Sequence, residues 1–140
     1  MTVKNALSLL ITGLIIWIVG TIYYAYSGAA ILETTSARYW SAFIASPIVS
    51  AAICVAILRR RRIAAESWAS AMLLLAIPGM IGEAIVLTNF PLFIPRLQAA
   101  TAGRYGAFLF VTYALVLSLA VLITFGAFPT LAGPKRSSSP

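Results

Sequence analysis

Histidine is absent from this sequence, and cysteine occurs once, as Cys54 within an apolar stretch. An intramolecular disulfide is therefore excluded, as are histidine-based and paired-cysteine metal sites. Cys54 reads as a buried, inert thiol, because a lone cysteine among apolar neighbours behaves as a small hydrophobe. Charge is also scarce, at 9% of 140 residues, and the Asp and Glu residues together number 3. Soluble domains carry about 25% charged residues, so too few are present to cover a folded surface against water. With 61% hydrophobic residues and a mean hydropathy of +0.99, lipid must be the solvent for much of the chain.

Catalytic signatures are missing as well. The sequence has no GxSxG, HExxH, P-loop, nucleotide fingerprint or paired metal-ligating carboxylates. Without histidine the commonest general acid–base group is gone. No enzymatic role, cofactor or metal is expected. The net charge of +7 does not indicate nucleic acid, because the basic residues sit at the ends of apolar runs, where they set topology.

Four apolar runs are present, each near the roughly 20 residues that cross a bilayer core. They predict transmembrane helices over about 6–26, 39–58, 67–88 and 105–128, an all-α integral membrane four-helix bundle filling residues 1–128. The first run is longer than the roughly 7–15 residues of a signal-peptide core. It ends in the Tyr23-Tyr24-x-Tyr26 cluster, which resembles an interfacial belt. Residues 27–38 are expected as a short polar loop, and Tyr39-Trp40 opens the second run. The connection 89–96 holds Pro91 and Pro95 among apolar residues, a pattern suited to lying along the membrane surface. Pro129 is expected to stop the fourth helix, with residues 129–140 a disordered tail.

Lysine and arginine fix the orientation. Lys4, Arg59, Arg60, Arg61, Arg62, Lys135 and Arg136 fall on one side; Arg38, Arg96 and Arg104 fall on the other. That asymmetry across short loops puts both termini in the cytoplasm, and the membrane is expected to be the cell (inner) membrane. Removing the first run would leave the orientation of the other three unchanged. The Arg59–Arg62 run is a strong anchor, and anionic lipid would add about 1 kcal/mol per basic residue near the surface.

Glu83 is the residue with chemistry to explain. It lies inside the third run, and an acid near a span's centre costs about 2.5–3.5 kcal/mol on insertion scales. Such a group persists when it is paired, protonated or facing a polar cavity. At a rise of about 1.5 Å per residue, its depth matches Thr21, Ser46 and Tyr113 in the other runs. Convergence there would form a polar layer. Two roles follow: glue for the bundle, with Arg96 or Arg104 as another partner for the acid, or a site for an ion, proton or small solute.

Pro47 in the second run, and Pro78-Gly79 in the third, free carbonyls one turn earlier and are hinge candidates. Gly13 and Gly20, with Ala6, share one face of the first helix; Gly79 and Gly82 flank Glu83. Small faces of this kind let helices approach, within the bundle or between copies.

The stretch Pro78–Leu117 resembles a group of small bacterial four-helix membrane proteins classed as a domain of unknown function. The resemblance rests on Pro78, Glu83, Phe90, Pro95 and Tyr105-Gly106-Ala107. It covers the C-terminal half and implies the fold without implying an activity; in that group an aspartate is more usual at the Glu83 position. Small multidrug-resistance transporters also pack four helices into a short chain. Their coupling glutamate lies in the first helix, where this sequence has no acid. The leading functional expectation is transport or binding of an ion or small solute at Glu83. Its rival is a structural or accessory subunit of a larger membrane complex. Expected partners are the lipid bilayer and either a second copy or such a complex.

Overall fold

The computed structural model describes residues 2–127. The expected tail over 129–140, with Lys135 and Arg136, lies outside those residues. Four long apolar helices are present: α1 (Val3–Leu32), α2 (Ser36–Arg60), α3 (Trp68–Thr88) and, after the four-residue helix α4 (Phe90–Phe93), α5 (Ala102–Thr124). Each is long and apolar enough to cross a membrane, so the chain reads as a multi-pass membrane bundle. Leu7, Ile11, Leu14 and Ile18 of α1 are exposed on its outer face, as lipid-facing side chains should be.

The helices differ from the sequence-based limits in instructive ways. The first continues to Leu32, reducing the expected loop over 27–38 to residues 33–35. Gly28 explains this, since it is buried against Leu97 and a Cβ there would lie 2.9 Å from Leu97 Cδ1. The small residues after Tyr26 therefore serve helix packing. At the other end of the chain, Gly126 ends α5, upstream of Pro129. Its φ of +81° lets its amide donate to Ile123 O and that of Ala127 to Leu122 O, both at 3.0 Å. This is a Schellman cap, which glycine satisfies without steric cost. Arg62 closes α2 with the same hydrogen-bond pattern, at φ 52°. Both α2 and α3 run on through Pro47 and Pro78.

Contacts run α1 to α3, α3 to α5 and α5 to α2, while α1 and α2 barely touch although they are sequence neighbours. The bundle is thus a ring with one loose seam, between α1 and α2. The central helix is α3, whose buried residues include Trp68, Met72, Leu75, Gly79, Gly82, Glu83 and Val86. These recur at three- and four-residue steps, one continuous face of the helix.

Two apolar cores stabilise the ring at different levels. Near the termini, Leu9, Leu58, Trp68, Met72, Ala120 and Ile123 pack together. Fully buried Trp68 donates its indole N–H to Ile63 O at 2.9 Å, and Thr124 of α5 accepts the Ala69 amide at 3.0 Å. At the far end, Leu32, Val86, Phe90, Ile94, Leu97 and Tyr105 form the second core. The connection 89–96 was expected along the membrane surface. Its Phe90 and Ile94, with Leu97 just beyond, turn inward and cap the bundle, burying apolar surface, while Leu92 stays exposed.

Candidate functional site

Between the two cores lies a cavity of about 160 Å³ bordered by α1, α2, α3 and α5. Glu83 lines it and is only 7% exposed. Tyr105 of α5 donates its hydroxyl to the carboxyl group, at 3.0 Å from Oε2 and 3.2 Å from Oε1. The Trp17 indole N–H lies near the same carboxyl group but forms no hydrogen bond and is buried without a partner. Tyr24, Phe108 and Tyr113 complete the aromatic part of the wall. Met72, Leu75, Ala76 and Val116 give the rest an apolar lining.

Glycine shapes this wall. A side chain at Gly82 would occupy the space of the Trp17 ring, and one at Gly79 that of the Tyr113 hydroxyl. Each glycine thus seats an aromatic group beside Glu83. Gly20 also lines the cavity, and a Cβ there meets nothing within 4 Å.

Of the expected polar layer, Glu83 and Tyr113 share the cavity. Ser46 instead faces the Tyr24 hydroxyl, and the Thr21 hydroxyl is buried with no partner. The hydrogen bond to the acid comes from Tyr105, which depth matching missed. That matching put Tyr105 at the very start of the fourth run, whereas α5 begins at Ala102 and carries Tyr105 within it. Nothing short of the packing identifies Tyr105. Trp17 did carry a signal, being a tryptophan in mid-span, away from the interfaces where this residue concentrates.

The arginines considered as partners for Glu83 are engaged elsewhere. Arg96 stacks over the Tyr26 ring at 4.9 Å, and Arg104 over Tyr39 at 5.4 Å. Arg104 also donates to Leu32 O at 3.3 Å. In the arginine run, Arg61 reaches α1, donating to Ser8 Oγ and Thr12 Oγ1 at 2.7 Å each. Among the described residues no cluster of histidine, cysteine or acidic side chains could hold a metal ion.

The other acid of structural note is Glu33, at the end of α1. Its Oε1 accepts the Thr101 hydroxyl and the Gln98 amide, both at 2.7 Å. Those bonds, Thr101 first, together with nearby Arg104, hold its carboxyl group below the usual carboxylate range. Glu33 thereby clamps the far-end connection to α1.

A family model described as "Family of unknown function (DUF5367)" matches residues 31–125. The match reaches beyond the C-terminal half, taking in α2 as well as α3 and α5. No curated protein and no solved structure matches the chain.

Proposed function

The chain belongs to the DUF5367 family of unknown function, so its activity must be argued from its own geometry, and we propose that it binds a small cation at Glu83 and, as an oligomer, carries it across the cell (inner) membrane. One observation supports this reading above the others. A buried carboxyl group lines a cavity between helices, and the groups around it are neutral: Tyr105, Trp17 and Tyr113. A carboxylate in such a setting needs a compensating positive charge, and a bound cation or proton supplies it. The sparsely packed α1–α2 seam, bridged by Arg61 to Ser8 and Thr12 and by Ser46 to Tyr24, offers a side on which the cavity could open.

The cavity alone is not a pathway through the bilayer, since the two apolar cores close it off along the bundle axis. A transport route would therefore draw on a second subunit. Both termini are assigned to the cytoplasm on the seven-to-three division of lysine and arginine. The role is read as non-catalytic, on the missing catalytic signatures and the lack of histidine, the commonest general acid–base group.

The rival reading, an accessory subunit of a larger complex, draws on the Tyr105 bond, which would suffice to retain Glu83 as glue. Glu83→Gln separates the two in reconstituted liposomes. Lost binding or flux at an unchanged melting temperature favours the cation site. Unchanged flux with a lowered melting temperature would sink it.

A further inference from the structure

From the walls of the same cavity we infer the class of cation: a compact organic ammonium with a short apolar tail, a step that rests on reading Glu83 as a cation site. Calcium and magnesium are poorly served here. Calcium takes 6–8 oxygens, and magnesium requires near-ideal octahedral geometry. The lining offers a single carboxyl group, with the hydroxyls of Tyr24, Tyr105 and Tyr113 near it and those of Ser50 and Thr112 elsewhere in the wall, too few anionic oxygens for a divalent ion.

Aromatic and apolar groups make up most of the remaining wall. Trp17, Tyr24, Tyr105 and Tyr113 stand near the acid, and Phe108 packs against Tyr24 in the same wall. An ammonium next to aromatic rings is attracted by their quadrupoles, and more strongly when water is excluded. A carboxylate among rings therefore favours a cation that sheds water easily over a strongly hydrated metal ion.

The lining also changes along the bundle. On α3, Glu83 stands about three helical turns beyond Met72, with Leu75 and Ala76 between them. An ammonium head at Glu83 would leave its tail against that apolar stretch. Size is in keeping, since an enclosed cavity of about 150 Å³ binds benzene and the volume here is about 160 Å³.

The test is titration calorimetry on the full chain in nanodiscs of neutral lipid. Its probes are tert-butylammonium, its neutral near-isostere tert-butanol, and sodium. The ammonium should bind at least tenfold more tightly than the alcohol, and Glu83→Gln should abolish that difference. Phe108→Leu should weaken ammonium binding by about three- to thirtyfold, the range for loss of one ring. Gly20→Leu, at a cavity-lining position where a Cβ meets nothing within 4 Å, should block binding, with the melting temperature measured alongside. Equal affinity for ammonium and alcohol would overturn the inference. Glu83-dependent binding of sodium but not ammonium would overturn it too, while leaving a cation site at Glu83. If no cation binds in a Glu83-dependent manner, both readings fail.

Discussion

Tyr105 and Glu83, 22 residues apart in sequence, meet across the α3–α5 interface with the phenol donating to the carboxyl group at 3.0 Å. The pair is buried between a far-end apolar core, of which Tyr105 is itself part, and the cavity that Glu83 lines. It therefore links the packing of the bundle to the chemistry of the site.

Replacing Tyr105 by Phe should test that link directly. Side-chain hydrogen bonds between membrane helices contribute about 0.6–1.7 kcal/mol, and a loss of that size is expected in unfolding titrations. In the Glu83→Ala background the same substitution should cost nearly nothing beyond the first change. Additive losses in this double-mutant cycle would mean that the two side chains do not interact.

Gly13 and Gly20 lie one heptad apart on α1 yet should respond in opposite ways. A Cβ at Gly13 would collide with the backbone carbonyl of Leu75, which cannot rotate aside, whereas one at Gly20 meets nothing. Gly13→Ala is expected to destabilise by about 1–3 kcal/mol through overpacking. Gly20→Ala should be neutral or gain up to about 1 kcal/mol from helix propensity. Thermal unfolding of the two variants side by side would decide the matter.

Glu33 predicts an acid-sensitive clamp. Its folded pKa lies below the ordinary carboxylate value, chiefly through the Thr101 and Gln98 hydrogen bonds. The carboxylate therefore binds fewer protons when folded than when unfolded. Its stabilisation is complete above the unfolded pKa and is lost as pH falls through the folded one. Exchange of the Gln98 amide should accelerate in acid relative to other far-end amides. Glu33→Gln should remove that pH dependence; its persistence in the variant would assign the effect to another group.

Arg62 adopts a left-handed conformation at the end of α2, with φ 52°. A non-glycine residue there costs roughly 1–2 kcal/mol. Arg62→Gly should therefore raise stability by about 1 kcal/mol in denaturant titrations. Arg62→Ala, which removes the same charge but keeps the strain, should not. Equal gains from both variants would point to charge repulsion within the arginine run.

How much of this was legible in the sequence depends on which coordinate is asked for. Position along the membrane normal was partly readable, since length and hydropathy locate the spans and mark Glu83 as an acid inside one. Azimuth was not. Helix α3 is apolar almost all round, so composition does not distinguish its face toward Tyr105 from its face toward lipid. The glycines hinted at contact faces without specifying a neighbour, and Gly13 and Gly20 proved unlike. Helix ends misled where a local rule was overridden: burial of Gly28 against Leu97 extends α1, and the Gly126 cap ends α5 before Pro129.

By itself the sequence determined the solvent, the number of long apolar helices and the residue that is costly to keep in lipid. These depend on side-chain transfer energies, which are properties of the residues alone. Only the tertiary structure decided that Glu83 is met by Tyr105 and a mid-span Trp17, beside a cavity with one loose seam. Those facts depend on how apolar cylinders rotate and slide against one another. In lipid that choice is made by glycine contacts and a capping connection rather than by any hydrophobic stripe, because both sides of each helix are already in an apolar medium.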